Sequence, residues 1–235
     1  MTTSTFKLLI MDFDGTIAET LPDVAWCMEK TFKSYGLTAP KYEDVRSTVG
    51  MTLEDSLQTL SKETIPTEKV SEWVKTYRAI YKEEGGQRTS LFPGMAMSMQ
   101  SAYEHDIKIL VVSNKGMAAI QAALTKLNID KYVDRVLSGD NVTHKKPDPA
   151  LYISEIKPLY PSLIDSEVLV VGDTRIDLVF ANNAGLRSCW AGYGYGKRDE
   201  CMALSPTYTI KEAGELAKII VSFKDKAKSL PCQCG

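Results

Sequence analysis

The sequence lacks the marks of several protein classes. Lys and Arg total 28 against 30 Asp and Glu, a net charge of −2, so there is no basic excess to favour nucleic acid or an anionic membrane. No stretch reaches the roughly 18 apolar residues of a membrane span. The opening "MTTSTFKLLIMDFDG" has neither the charged start nor the long apolar centre of a secretory leader. Five cysteines, an odd number at irregular spacing, do not form a disulfide framework. Cys232 and Cys234 offer only two soft ligands, in what is expected to be a flexible tail over 231–235. His105 and His144 stand alone and read as surface residues. A soluble, cytoplasmic protein with reduced thiols is expected, a monomer or homodimer.

What the chain does have is 235 residues, 44% of them hydrophobic, enough for a core domain carrying an insertion. Short apolar runs recur at "KLLIM", "IKILVVS" (107–113), "YVDRVL" (132–137), "EVLVVG" (167–172) and "RSCWAG" (187–192), with a weaker "TYTI" (207–210). Each is separated from the next by a helix-length segment, the pattern of a parallel sheet covered on both faces. Asp148 with Pro149 predicts one helix start, and Gly185 a helix end.

Residues 18–88 read as helices only. The spacing predicts one helix from Pro22 to Gly36 and another beginning at Thr52 and Asp55, a capping-box-like pair. A third places Val70, Trp73, Val74, Tyr77, Ile80 and Tyr81 on one face, a stripe read as core packing. The expected architecture is α/β, a Rossmann-like parallel sheet (1–17 and 89–230) with an inserted all-helical cap (18–88). "TSLFPG" (89–94) would be the returning linker. "GYGYG" (192–196) lacks the spacing of a phosphate loop and reads as a flexible loop after a strand.

Polar residues gather where the apolar runs end. Leu8 to Met11 lead straight into Asp12 and Asp14, with Gly15 turning the chain. A second run ends in Ser113 and Asn114, and a third in Asp173 and Asp177. In open parallel sheets the ligand crevice lies beyond the carboxyl ends of strands, so these groups should converge. Four converging carboxylates require a cation. With no His or Cys among them, oxygen ligands favour Mg²⁺ over Zn²⁺. A phosphate would complete the site, with free N–H groups near Lys115–Gly116 and the charges of Lys145 and Lys146 to receive it.

These residues resemble the four motifs of the haloacid dehalogenase-like superfamily, in the branch with a helical cap after the first strand. "DFDGT" (12–16) is similar to the first motif, "VVSN" (111–114) to the second, Lys146 with Pro147 to the third and "GDTRID" (172–177) to the fourth. The resemblance implies a phosphatase acting on a small phosphorylated metabolite, with no nucleic-acid or membrane partner. Asp12 would be the nucleophile and Asp14 the proton donor and acceptor. Asp12, the Asp14 backbone carbonyl, Asp173 and Asp177 would serve Mg²⁺. Thr16, Ser113, Asn114 and Lys146 would contact substrate, with Ser113 and Lys146 holding the phosphoryl oxygens.

Within the family, Asp14 argues for phosphoryl chemistry, because the dehalogenases lack the second acid. Leu53 stands where related sugar-phosphate mutases carry an arginine, and "GMTLED" lacks the cap lysine of phosphonate-cleaving relatives. The remaining resemblance is to phosphoglycolate phosphatase. A hexose-phosphate mutase or a pyrophosphatase of the same fold is the alternative. Arg46 and Arg175 are further candidates for substrate contact or for pairing with a nearby carboxylate.

Overall fold

A computed structural model describes residues 6–62 and 65–220. The expected tail over 231–235 lies outside the described residues. The chain opens with strand β1 (Leu8–Met11) and a two-residue strand β2 (Ala18–Glu19). Helices α1 (Leu21–Ser34), α2 (Tyr42–Thr48), α3 (Leu53–Leu60) and α4 (Val70–Glu84) follow, then β3 (Ser90–Leu91) and α5 (Met95–Glu104). The remainder alternates: β4 (Lys108–Ser113), α6 (Met117–Lys126), β5 (Arg135–Ser138), β6 (Val168–Gly172), α7 (Arg175–Asn183), β7 (Arg187–Ala191), α8 (Arg198–Met202) and β8 (Tyr208–Ile210).

Six strands form one parallel sheet in the order β5-β4-β1-β6-β7-β8. All six apolar runs of the sequence are in it. The strands are apolar on both sides because the sheet is covered on both sides. Leu9, Met11, Ile109, Val111, Leu169 and Val171 enter one core cluster. Their neighbours Leu8, Ile10, Leu110, Val112, Val168 and Val170 enter another. Each such side chain, fully buried, contributes roughly 1.5–3 kcal/mol before entropy is counted.

The sheet order fixes where a ligand can sit. From β1 the chain crosses to β4 on one side and later to β6 on the other. Strand order therefore reverses at the carboxyl end of β1, which opens a crevice there.

Helices α1 to α4 pack around their own core, which includes Phe32, Val45, Leu57 and Trp73. Trp73 stacks on Tyr35 at 4.0 Å and meets Phe32 edge-on at 5.2 Å. Thr52 caps α3 by accepting the Asp55 N–H at 3.1 Å, and Gly185 follows α7 at φ +68°. The segments that enter and leave the helical insertion run side by side. β2 and β3 pair antiparallel as a short ribbon. Beside it, fully buried Asp23 accepts hydrogen bonds from Arg88 N (2.9 Å) and Thr89 Oγ1 (2.7 Å).

Two local expectations need correction. The start of "YVDRVL" belongs to a 3-10 turn over Asp130–Tyr132, and the strand begins only at Arg135. Asp148 does receive the Ala150 N–H (2.8 Å), but the helix continues as π-helical turns over Leu151–Ile156. Pro158, with no N–H to donate, follows within the next turn.

Candidate active site

β1 delivers Asp12 to the crevice, one residue past its last paired position. Ser113 is the last residue of β4, and Asp173 follows the last residue of β6. The turn after Asp12 depends on Gly15. Its φ is +87°, and a Cβ there would lie 2.4 Å from Asp173 Oδ2.

Carboxylate oxygens of Asp12, Asp173 and Asp177 lie within 4.8 Å of one another, and all three residues are buried. Lys146 Nζ donates to Asp12 Oδ1 and to Asp177 Oδ1, each at 2.6 Å. Thr16 Oγ1 donates to Asp173 Oδ1 at 3.0 Å, and the Tyr195 N–H to Asp173 Oδ2 at 2.7 Å. Thr174 donates to Asp177 Oδ2 through both its N–H and its hydroxyl.

The electrostatics show a deficit of positive charge. Burial is the largest influence on Asp12 and raises its pKa. Lys146 opposes this, Asp177 and Asp14 add to it, and the carboxyl is pushed up to about 7. Asp173 is also raised well above the usual carboxylate range, by burial and then by Asp177 and Asp12. Burial alone would lower Lys146, but Asp12 and Asp177 outweigh it and raise its pKa. Three buried carboxylates sharing one ammonium, with only oxygen donors, fit a small hard divalent cation.

The Asp14 carboxylate lies outside this cluster. It turns to Lys115, whose Nζ stands 3.2 Å from Asp14 Oδ1. The same ammonium lies 4.8 Å from the centroid of the Tyr81 ring, reaching from the sheet towards α4. The two acids of the first motif thus have different partners and different surroundings. The Lys115 side chain has no counterpart in the motifs, which involve only the backbone near it. It sits inside "VVSNKG", but its partner is remote in sequence.

The other candidates fall as follows. Ser113 is buried and faces a cavity of about 520 Å³ between the sheet and the helical insertion. Asn114 lines the same cavity, and its amide donates to the backbone carbonyls of Gly50 (2.9 Å) and Lys146 (3.2 Å). Arg46 Nη2 donates to the Gly194 carbonyl at 3.3 Å, a bridge from α2 to the loop after β7. Arg175 is exposed and stands outside the cavity lining. The N–H of Met117, near the expected anion position at the start of α6, donates to Asp140 Oδ2 at 2.8 Å. A side chain of the protein therefore takes that donor.

The "GYGYG" loop is heavily anchored. Tyr195 Oη accepts from the N–H groups of Thr20 (2.8 Å) and Leu21 (3.0 Å), at the entry to α1. Tyr193 Oη donates to the Thr16 carbonyl, and a Cβ on Gly194 would lie 2.3 Å from the Asp173 Cβ. The aromatic stripe of α4 also does more than fill a core. Val70, Trp73 and Val74 are buried in it, whereas Tyr77 and Tyr81 form cavity wall as well.

Comparison with known proteins agrees with this geometry. The family model for haloacid dehalogenase-like hydrolases matches residues 9–191. A phosphoglycolate phosphatase of Vibrio parahaemolyticus is 27% identical over 228 residues, 94% of this chain and 98% of that one. One from Aquifex aeolicus is 27% identical over 214 residues, covering 91% and 96%. A solved structure from Bacteroides fragilis superposes with a TM-score of 0.83 at 25% identity, over 90% of this chain and 99% of that one. A haloacid dehalogenase-like family hydrolase from Streptococcus pneumoniae gives 0.80 at 22% identity, covering 95% and 100%.

Proposed function

The chain belongs to the haloacid dehalogenase-like hydrolase family, and we propose that it is a Mg²⁺-dependent phosphatase, similar to phosphoglycolate phosphatase, that cleaves a phosphate monoester through a phosphorylated Asp12. The observation that carries this reading is the buried set of Asp12, Asp173 and Asp177 around Lys146, at the point where strand order reverses.

Asp12, Asp173, Asp177 and the backbone carbonyl of Asp14 would hold the metal. When bound, Mg²⁺ supplies charge that lets a carboxylate approach a phosphate dianion. The protein's own groups do the rest. An Asp12 oxygen forms a bond to phosphorus as the ester oxygen leaves. Asp14 gives that oxygen its proton. A water then attacks phosphorus, passes its proton to Asp14 and frees Asp12 and inorganic phosphate. Lys146 already contacts Asp12, so a phosphoryl group there would lie within reach of its charge. Ser113, at the end of the adjacent strand, would hold a second phosphoryl oxygen.

Thr16 and Asn114 support this centre by holding other groups. Thr16 fixes Asp173, and Asn114 ties Gly50 to the Lys146 backbone. Leu53 lines the cavity where a mutase would carry an arginine, which favours transfer to water over transfer between sugar hydroxyls. Residues 18–88 would act as the cap that closes on substrate.

The test is release of phosphate from p-nitrophenyl phosphate and phosphoglycolate. Turnover should require Mg²⁺ and stop with chelator. Undiminished turnover in excess chelator would contradict the reading.

A further inference from the structure

The cavity that Asp14 and Ser113 line has a shape of its own. On the sheet side it follows α6, where Ala118, Ala119, Ala122, Ala123 and Lys126 recur at helical spacing. On the other side it follows α4, through Tyr77, Tyr81, Lys82 and Gly85. Residues 118 to 126 span about 12 Å along a helix, so the space is a trough of that length.

Contacts between the two helical regions lie at both ends of the trough. Near the chemistry, Arg78 pairs with Asp140 at 2.8 Å, and Asp140 in turn receives the Met117 N–H. At the far end, Lys126 Nζ donates to the carbonyls of Gly86 and Gln87. The trough therefore exists with the helical insertion seated on the sheet domain. One end opens on Asp14, Ser113 and Lys115.

The lining between the ends is mainly carbon, although Glu54, Lys82 and the Tyr81 hydroxyl also belong to it. The alanines leave room along one wall, and Val24, Met28, Tyr77 and Tyr81 supply much of the rest. Arg78 and Lys126 are engaged in the bonds just described. At about 520 Å³ the space falls in the range that holds a ligand of roughly drug size. A two-carbon acid phosphate would leave most of it unfilled.

We infer that the substrate is the phosphate monoester of a long apolar alcohol, whose chain or ring system lies along the alanine face of α6. This rests on the phosphatase reading above and adds the class of leaving group. Binding would gain from each carbon removed from water until the trough is full. The phosphoryl end would be identical for short and long esters.

The test compares kcat/KM for ethyl, butyl and octyl phosphate and for phosphoglycolate, with Mg²⁺ and below the micelle concentration. Octyl phosphate should exceed ethyl phosphate by at least about 30-fold. Ala122 is exposed along the trough, so Ala122→Leu fills space without overpacking the core. That variant should shrink the octyl-to-ethyl ratio by about fivefold or more. If ethyl phosphate or phosphoglycolate matches or exceeds octyl phosphate, the inference is overturned and the phosphatase reading stands. If no ester is hydrolysed, p-nitrophenyl phosphate included, the phosphatase reading fails and this inference falls with it.

Discussion

Buried charge gathers beyond the carboxyl ends of the sheet strands, whereas the two helices that flank the cavity, α6 and α4, face it mainly with carbon. Asp12 and Asp173 follow strands, Asp177 stands in the first turn of α7 and Lys146 in the loop after β5, each held by named hydrogen bonds. Opposite them, α1 and α4 present Val24, Met28, Tyr77 and Tyr81. Charge at fixed positions stabilises a changing charge distribution and depends little on what else the substrate carries. An apolar wall does the reverse: it rewards shape and size and is indifferent to the reacting bond. On the proposed function, the division would assign reaction to the strand ends and selection to the two helix faces across the cavity.

The sharpest break in that division would come from Asp12→Asn. It keeps the shape and removes the proposed nucleophile, so phosphate release should fall on the order of 10⁴-fold or more. Loss of less than about tenfold would mean that the sheet side does not carry the reaction.

Lys115→Met probes the seam, because Lys115 belongs to the sheet side yet also meets Tyr81 of α4. Burial alone would lower its pKa, but Asp14, Tyr81 and Tyr77 outweigh that and raise it, so the ammonium stays charged. Removing it leaves Asp14 without its paired cation. A fall in kcat of roughly 10- to 100-fold is expected, with a smaller change in KM. A change confined to KM would assign Lys115 to substrate selection instead.

The charge concentration also has a pH signature. Folded Asp12 keeps its proton to about pH 7, while the unfolded value is near 3.8. Between those values the folded state binds more protons, so the metal-free protein should lose stability as pH rises from about 4 to 7. Mg²⁺ should offset that loss. The rise in Tm on adding Mg²⁺ should therefore grow across the same window, and a constant rise would contradict the assignment.

The smallest effect on chemistry should come from the ribbon that joins the two parts. Asp23→Ala leaves the Arg88 N–H and Thr89 hydroxyl without their acceptor and should cost about 2–3 kcal/mol in a denaturant melt. Much of the activity should remain at low temperature. The contribution of the Arg88 side chain is small, because it is 41% exposed.

The same contrast explains what the sequence made visible. The reactive residues lie in short contiguous motifs after apolar runs, and the parallel-sheet rule brings those run ends together. Asp12, Ser113, Asp173 and Asp177 were therefore readable as neighbours, whereas only the family resemblance singled out Lys146 from Lys145. The supports were not. Tyr195 reaches the N–H groups of Thr20 and Leu21 from a glycine-rich loop that reads as flexible. Arg46 finds a carbonyl at Gly194, and Lys115 finds Asp14, with no local pattern to announce either. The trough was hidden for another reason. Alanines on α6 and tyrosines on α4 look like ordinary core faces until the two helices are seen with space between them.

The most direct test of a phosphorylated Asp12 is to mix the Asp14→Asn variant with p-nitrophenyl phosphate and Mg²⁺, quench in acid and map the products by mass spectrometry. With the proposed proton acceptor for water removed, a phosphoryl group should accumulate on the peptide containing Asp12 and be absent from the Asp12→Asn, Asp14→Asn double variant. A phosphoryl group on any other residue, or the same adduct in the double variant, would contradict the account.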